Sequence, residues 1–144
     1  MGNHCQLCKS MSISNKVVNP KTGRESFTAG GTCSTSNIVY AAECLQHQLL
    51  YVGHTSRQLN HRMNSHRSEI NNGVKTCELV KHFCDNNCSF NDHLRVHILQ
   101  DNLPDNLSAR EFHEDKWMTR LQTTVPHGMN RMTQDFAQTF YSLF

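Results

Sequence analysis

Two short apolar stretches, Ile38-Val-Tyr-Ala-Ala-Glu-Cys44 and Leu49-Leu-Tyr-Val-Gly53, decide the fold of this chain. Both have the length of a strand, and both are rich in β-branched and aromatic residues. The gap between them contains the polar run Gln46-His-Gln48 and is short enough to join two antiparallel strands. We therefore predict a β-hairpin at this point of the chain.

The register of this hairpin determines where its two tyrosines lie. If residue 42 pairs with residue 51, the rings of Tyr40 and Tyr51 share one face of the sheet, whereas a slip of one residue separates them. Tyrosines in strands are more often packing residues than catalysts. The pair therefore needs support from other residues before it indicates chemistry.

A helix is predicted directly after the hairpin. Thr55 or Ser56 is the expected cap at its start, and Gly73 is expected to end it. Helical spacing places four residues on one stripe, which we expect to face the core: Leu59, Met63, His66 and Ile70.

Three more elements are predicted towards the C-terminus. They are a short helix over residues 78–84, a third strand over residues 93–99 and a last helix. The last helix is predicted to open with the capping box Ser108-Ala-Arg-Glu111 and to run to about Thr123.

Composition and charge indicate one small intracellular domain. The chain has 144 residues, a net charge of +2 and no apolar run near the ~20 residues of a membrane span. Its first residues lack the apolar centre of a signal peptide. We expect an N-terminal zinc-binding arm over residues 1–36 with short strands near Val17 and Phe27, a core over residues 37–131 and a tail over residues 132–144.

A basic stretch covers the predicted first helix. No acidic residue occurs between Gln46 and Ser68, whereas the same stretch holds several basic residues that include Arg57, Arg62, Arg67, His54, His61 and His66. Because Arg62 and His66 are four residues apart, they lie on one helical face, where a guanidinium can bind a phosphate and an imidazole can transfer a proton. The alternative is a solvated basic face with a partly buried histidine, which the helix by itself favours.

The last helix places a carboxylate among apolar residues. Glu114 shares its stripe with Arg110, Trp117, Met118 and Leu121. A carboxylate on an apolar face is costly unless it is paired or bound to a metal. Glu114 is therefore expected either to form an ion pair with Arg110 or to bind a hard cation such as Mg²⁺. Glu111 is assigned to the helix cap.

Taken together, these residues resemble the motifs of GIY-YIG nucleases. Ile38-Val39-Tyr40 stands for the first motif, with Ile38 in place of its glycine, and Tyr51-Val52-Gly53 follows after ten residues. The likeness continues through residues 54–66, resumes at residues 114–123 and ends at residues 126–130. This last stretch is similar to the form found in Penelope-like retroelements and their relatives, where the nuclease accompanies a reverse transcriptase.

The resemblance implies an α+β fold with a small central three-stranded sheet flanked by helices, and metal-dependent cleavage of DNA. The roles it implies for six residues are these: Tyr40 and Tyr51 are the motif tyrosines, one of which helps to orient or deprotonate the attacking water, Arg62 steadies the phosphate, His66 is a general-base candidate, Glu114 binds Mg²⁺ or Mn²⁺, and Asn130 supports the site. The basic residues expected to contact DNA are His54, Arg57, His61 and Arg67.

The cysteines and histidines predict a second metal. Seven cysteines and ten histidines, without a sign of secretion, favour a structural zinc over disulfides. Cys5-x-x-Cys8 has the spacing of a zinc knuckle, and His82 with Cys88 is the expected second pair, similar to the His pair of related retroelement domains. The alternatives that stay open are Cys33, Cys44, His47 and Cys84 as ligands, or thiols that only pack in the core.

Three functions are compatible with this sequence. The first is an intracellular, nuclear DNA endonuclease that nicks target sites for retroelement integration, with a reverse transcriptase domain in the same polyprotein. The second is an inactive, zinc-stabilised nucleic-acid-binding module, and the third is an interaction domain with a fortuitous motif. The intact set of Tyr, Arg, Glu and Asn residues favours the first, because decay would soon remove it.

Overall fold

A computed structural model describes residues 6–131 of the chain. The elements of this part are a 3₁₀ turn (Cys8–Ser10), β1 (Lys16–Val18), β2 (Glu25–Phe27), β3 (Ile38–Cys44), β4 (Leu49–Thr55), α1 (Leu59–Asn72), α2 (Glu78–Asp85), α3 (Phe90–His93), β5 (Leu94–Gln100) and α4 (Leu107–Leu121). The predicted hairpin, third strand and three helices are confirmed, with shifts of a few residues at their ends.

The central sheet is antiparallel and has the strand order β4-β3-β5. Ala42 pairs with Tyr51, and Tyr40 pairs with Gly53, so the register that places both tyrosines on one face is the one observed. Nearly every residue of β3 is buried, because this strand lies between two others and is covered on both faces.

Helices cover both faces of this sheet. On one face, Tyr40 and Ala42 share a core with Leu59 and Met63 of α1 and with Phe83 of α2. The other face packs against α4, in a second core whose members include Val39, Val52, Trp117, Met118 and Leu121. The predicted α+β fold with a three-stranded sheet and flanking helices is therefore confirmed.

The described part of the N-terminal arm packs on the sheet. Its backbone pairs with β5, where the Ser12 N–H donates to the Val96 carbonyl at 2.8 Å and the Ala29 N–H donates to the Ile98 carbonyl at 2.9 Å. Leu7 is fully buried in the first core. The two short strands predicted near Val17 and Phe27 are present as the β1–β2 hairpin.

Both predicted N-terminal helix caps are wrong. Thr55 is the last residue of β4, and its Oγ1 accepts a hydrogen bond from the Arg57 N–H at 3.0 Å. The helix α1 begins only at Leu59, with Gln58 as its N-cap residue. At α4 the cap is Asn106, whose Oδ1 accepts from the Ala109 N–H at 3.1 Å. The capping-box residues Ser108–Glu111 therefore lie inside the helix.

The predicted end of α1 is confirmed. Gly73 adopts the left-handed conformation with φ of 68°, and its N–H bonds to carbonyls of the last turn, as in a glycine C-cap. Within residues 6–131, none of the helices combines the length and apolar character that a transmembrane helix requires.

Candidate active site

The catalytic candidates meet at β4, an edge strand of the central sheet. Tyr51 lies on β4 and Tyr40 lies beside it on β3. Arg62 and His66 come from α1, which covers one face of the sheet. Glu114 comes from α4, which covers the other face. The site therefore joins two helices around one strand edge.

Gly53 makes room for the two tyrosines. A Cβ atom at this position would lie 2.6 Å from the Tyr40 hydroxyl oxygen and 2.9 Å from Cε2 of Tyr51. No side chain fits at such distances without moving both rings. The glycine of the second motif is thus needed for close approach of the phenols, whereas its backbone lies in regular strand geometry.

Both phenols are held in their neutral form. Burial raises the pKa of Tyr40 well above its ordinary value, and the charge of Arg62 only partly opposes this effect. Burial also raises the pKa of Tyr51, to which the neighbouring Tyr40 adds. A neutral phenol needs an acceptor for its own proton before it can take one from water.

His66 supplies such an acceptor. Its side chain is fully buried, and its Nε2 lies 3.4 Å from the Tyr40 hydroxyl. Burial lowers the pKa of His66 to about 4, with a further decrease from Arg62 and an opposing effect from Glu69. The imidazole is therefore neutral at neutral pH and is free to accept a proton.

Glu114 is a desolvated carboxylate. Burial raises its pKa to about 8, to which the negative charges of Asp115 and Glu111 add, while the positive charge of Arg62 lowers it. The Oε2 atom lies 3.8 Å from Nε2 of His54, and no described side chain donates a hydrogen bond to this carboxylate. A single such carboxylate fits a divalent cation that completes its shell with water and substrate oxygens.

The alternative role of Glu114, an ion pair with Arg110, is not observed. The guanidinium of Arg110 instead bonds to Oδ1 of Asp105 at 3.2 Å. Asp105 lies just before α4 and reaches the arginine from the helix start. Glu114 therefore has no ion pair with Arg110 and lies near His54 and Arg62 instead.

Electrostatic effects link the two sides of the site. Glu114 on α4 raises the pKa of both Tyr40 and Tyr51, and Arg62 on α1 lowers that of Glu114. Charges shift one another's pKa values only when they are close enough that solvent and salt do not screen their interaction. The structure thus brings together the five side chains Tyr40, Tyr51, Arg62, His66 and Glu114.

Residues 36–102 match the family model of the GIY-YIG catalytic domain. The match indicates a nuclease-type hydrolase and implies DNA as its substrate. It covers the two tyrosines, Arg62 and His66, whereas Glu114 and Asn130 lie beyond its end. No curated protein and no solved structure matches the chain significantly.

Asn130 touches the backbone of β4 rather than the phenols. Its Nδ2 donates to the Val52 carbonyl at 2.9 Å, and its Oδ1 accepts from the Val52 N–H at 2.8 Å. The same Oδ1 accepts from the Thr123 hydroxyl at 2.8 Å. Asn130 is therefore a positioning residue, since it holds the strand segment between Tyr51 and Gly53.

The basic residues predicted to contact DNA occupy different environments. Arg57 and His61 are exposed, and the Arg57 guanidinium bonds to the His61 carbonyl at 3.3 Å. Arg67 is engaged within the fold, where it donates to Asn91 at 2.9 Å and to Asn64 at 2.7 Å. His54 faces Glu114, and burial lowers its pKa.

A separate cluster of metal-ligand side chains lies at the far end of the hairpin. Its members are Cys44, His47, His82 and Cys88, whose donor atoms all lie within 4.8 Å of one another. The two sulfurs are 3.8 Å apart, and Nδ1 of His47 lies 3.6 Å and 3.3 Å from them. Tetrahedral zinc with ordinary bond lengths separates two sulfurs by about 3.8 Å and a sulfur and a nitrogen by about 3.6 Å.

Two further features of this cluster fit zinc. Nε2 of His82 is buried and has no hydrogen-bond partner among the described residues. Burial raises the pKa of Cys88 to about 11, to which the neighbouring Cys44 adds, so the uncomplexed Cys88 thiol keeps its proton. A bound Zn²⁺ would favour the thiolates and use the unpaired imidazole nitrogen.

The structure brings two of the four predicted zinc ligands together. His82 and Cys88 belong to the cluster, whereas Sγ of Cys8 lies 3.6 Å from Sγ of Cys33. Cys44 and His47, which the sequence left as alternatives, take the remaining places. Cys5 lies outside the described residues. The spacing of Cys5 and Cys8 is conspicuous in the sequence, whereas the observed cluster depends on how the hairpin meets α2.

Sequence reasoning missed Glu69. Its Oε1 lies 3.1 Å from Nδ1 of His66, on the opposite side of the ring from Tyr40. The available signal was its position three residues after His66 on a predicted helix, where side chains are neighbours.

Proposed function

We propose that this chain is a metal-dependent DNA endonuclease that hydrolyses one phosphodiester bond at a time and leaves nicks. The observation that carries the proposal is the meeting of four groups at the edge of β4. These are a neutral phenol beside a neutral imidazole, a guanidinium and a desolvated carboxylate. Phosphodiester hydrolysis needs a route for the proton of water, positive charge on the phosphate and a cation near the leaving oxygen.

Each requirement has a candidate in this chain. Tyr40 takes a proton from the attacking water while His66 takes the phenol proton, and Tyr51 helps to orient the water. Arg62 binds the non-bridging oxygens of the phosphate. Glu114 would hold Mg²⁺ or Mn²⁺, which when bound stabilises charge on the leaving oxygen.

A structural zinc completes the proposal. Cys44 and His47 belong to the end of the β3–β4 hairpin, and His82 and Cys88 belong to α2 and the turn after it. Zinc at this position would tie the hairpin that carries both tyrosines to α2. Its role is mechanical, because four protein ligands leave no open coordination position for substrate.

The biological setting that we propose is retroelement integration in the nucleus. The support is the similarity of residues 114–130 to the nuclease segment of Penelope-like elements, in which a reverse transcriptase belongs to the same polyprotein. Priming of reverse transcription needs a free 3′-hydroxyl at the nick. A DNA polymerase should therefore extend the 3′ end at the nick without prior enzymatic repair of that end. A 3′ end that the polymerase cannot extend would contradict this setting.

Nicking of supercoiled plasmid tests the activity itself. The native chain should nick with Mg²⁺ or Mn²⁺ and should stop when a chelator is added. Glu114→Gln should reduce the rate by about 10³-fold or more, since it removes the ligand of the cation. Glu25→Gln is the control, since this exposed carboxylate lies on β2 and contacts Lys16, and it should keep the native rate.

Two results would reject the proposal. A native chain that binds DNA but never nicks would be the inactive binding module, and a Glu114→Gln variant with the native rate would show that the site is wrongly assigned.

A further inference from the structure

Three side chains form a continuous row from α1 into the site. Oε1 of Glu69 lies 3.1 Å from Nδ1 of His66, and Nε2 of His66 lies 3.4 Å from the hydroxyl of Tyr40. Both nitrogens of the imidazole are thus directed at polar groups. Nothing in the function proposed above assigns a role to Glu69.

The carboxylate determines which nitrogen of the imidazole carries the proton. An ionised carboxylate can only accept hydrogen bonds, so Nδ1 must carry the hydrogen that faces Glu69. Nε2 is then left with its lone pair directed at the Tyr40 hydroxyl, which becomes the donor. This arrangement is the one in which His66 can remove the phenol proton.

Burial differs along the row in a way that suits this role. The His66 side chain is fully buried, whereas the Glu69 side chain is 24% exposed. The carboxylate keeps contact with water, while the imidazole is shielded from it. The hydrogen bond from Nδ1 to the partly exposed carboxylate holds the buried imidazole in one orientation.

The other charged or titratable neighbours of His66 do not replace Glu69. Arg62, on the same helix, is a cation that disfavours a second positive charge. Sγ of Cys77, which precedes α2, lies 4.0 Å from Nδ1, at the limit of a weak sulfur contact. Tyr40 of β3 occupies the opposite nitrogen. Glu69 is therefore the group in contact with His66 that can stabilise its protonated form.

We propose that Glu69 is a positioning residue that fixes the tautomer of His66 and stabilises the imidazolium formed during hydrolysis. As water attacks phosphorus, its proton passes to the Tyr40 oxygen and the phenol proton passes to Nε2 of His66. The water oxygen bonds to phosphorus, and the bond from phosphorus to the leaving oxygen breaks with its electron pair staying on that oxygen. The leaving oxygen then takes a proton from solvent water, and the proton on His66 returns to solvent. This inference rests on the proposed nuclease function.

The first test is the tautomer, which does not depend on activity. Nitrogen NMR of the histidine side chains, with the His66 signal identified by its loss in His66→Gln, should show Nδ1–H in the native chain at neutral pH. Glu69→Ala should lose that preference. A native His66 with the proton on Nε2 would overturn the proposal.

The second test is the nicking rate. Glu69→Gln should lower kcat by about 10²-fold or more while KM for plasmid stays within about twofold, since Glu69 acts on a buried group and not on DNA. Glu69→Asp, which keeps the charge on a shorter side chain, should recover part of the rate. Glu78→Gln, whose carboxylate contacts Arg131, is the control and should match the native chain.

The outcomes of the rate test separate the two proposals. If the native chain nicks and folded Glu69→Gln nicks equally fast, the role of Glu69 is overturned while the nuclease function stands. If the native chain never nicks, the nuclease function is rejected and the relay is rejected with it.

Discussion

The carboxamide of Asn130 pairs with both backbone polar groups of Val52, as a neighbouring strand would. Val52 lies on an edge strand and separates Tyr51 from Gly53, so this pairing fixes the segment on which the site is built. Asn130 and Val52 are 78 residues apart in the sequence. Their contact is therefore a product of the tertiary fold.

Asn130→Asp should destabilise the chain. The replaced amide group would put a carboxylate oxygen against the Val52 carbonyl, and the buried carbonyl would lose its donor. A loss of about 2–3 kcal/mol in the free energy of unfolding is expected, measured by urea denaturation. Thr123→Val removes only the third hydrogen bond and should cost about 1 kcal/mol. Equal effects of the two variants would contradict the bracing role of Asn130.

Gly53→Ala should lower the nicking rate strongly and should have a smaller effect on the stability of the fold. The added Cβ would lie 2.6 Å from the Tyr40 hydroxyl oxygen and would push the phenol away from His66. We expect the nicking rate to fall by about 10²-fold or more, because small displacements of reacting groups are costly. Gly30→Ala is a matched control, since a Cβ there meets no atom within 4 Å. Native activity in Gly53→Ala would show that the Tyr40 position is not critical.

Protein purified without chelators should contain about one zinc per chain, as metal analysis can show. Cys88→Ser should lose this zinc and lower the melting temperature by about 5 °C or more, because the metal links the hairpin to α2. Cys84→Ser tests specificity, since this thiol lies on α2 but outside the cluster, with its sulfur near the Ile70 carbonyl. Zinc retained in Cys88→Ser would count against the site.

Stability should decrease as the pH falls from about 6.5 to about 4, in part because of His66. Burial lowers its pKa to about 4 in the folded chain, so between these values the unfolded chain binds a proton that the folded chain does not. The sign follows: stability from this group is present above pH 6.5 and is lost on acidification. His66→Gln cannot titrate, so the difference in unfolding free energy between native and variant should shrink as the pH falls. A constant difference would refute the pKa shift.

DNA binding should weaken as salt rises, with a contribution from Arg57. This arginine is exposed in the loop between β4 and α1, and a phosphate contact there releases about one counterion. Arg57→Ala should reduce the slope of log affinity against log salt by about 1, measured by fluorescence anisotropy without added metal. Arg95→Ala, on the opposite edge strand, should leave the slope unchanged. No binding at low salt would favour an interaction domain without a nucleic-acid ligand.

Local patterns were sufficient to predict most of the elements. The two strands of the hairpin follow from strand-length apolar runs, and the stripe of Leu59, Met63 and His66 follows from helical spacing, because both depend on neighbours in sequence. The register of the hairpin stayed open at the sequence level and was decided by the fold. Helix caps failed, since Thr55 and Ser108 have suitable side chains but the end of β4 and Asn106 determine where the helices start. Cap identity depends on how the preceding segment enters the helix.

By itself, the sequence determined the strands, the helices and the residue types that phosphodiester chemistry needs. Only the tertiary structure decided which of them meet: Glu69 with His66, Asn130 with Val52, and Cys44 with Cys88. Two of these pairs are separated by 78 and 44 residues. Contacts at such separations are set by sheet order and by which face each helix covers, because burial of apolar area selects that packing without regard to distance along the chain.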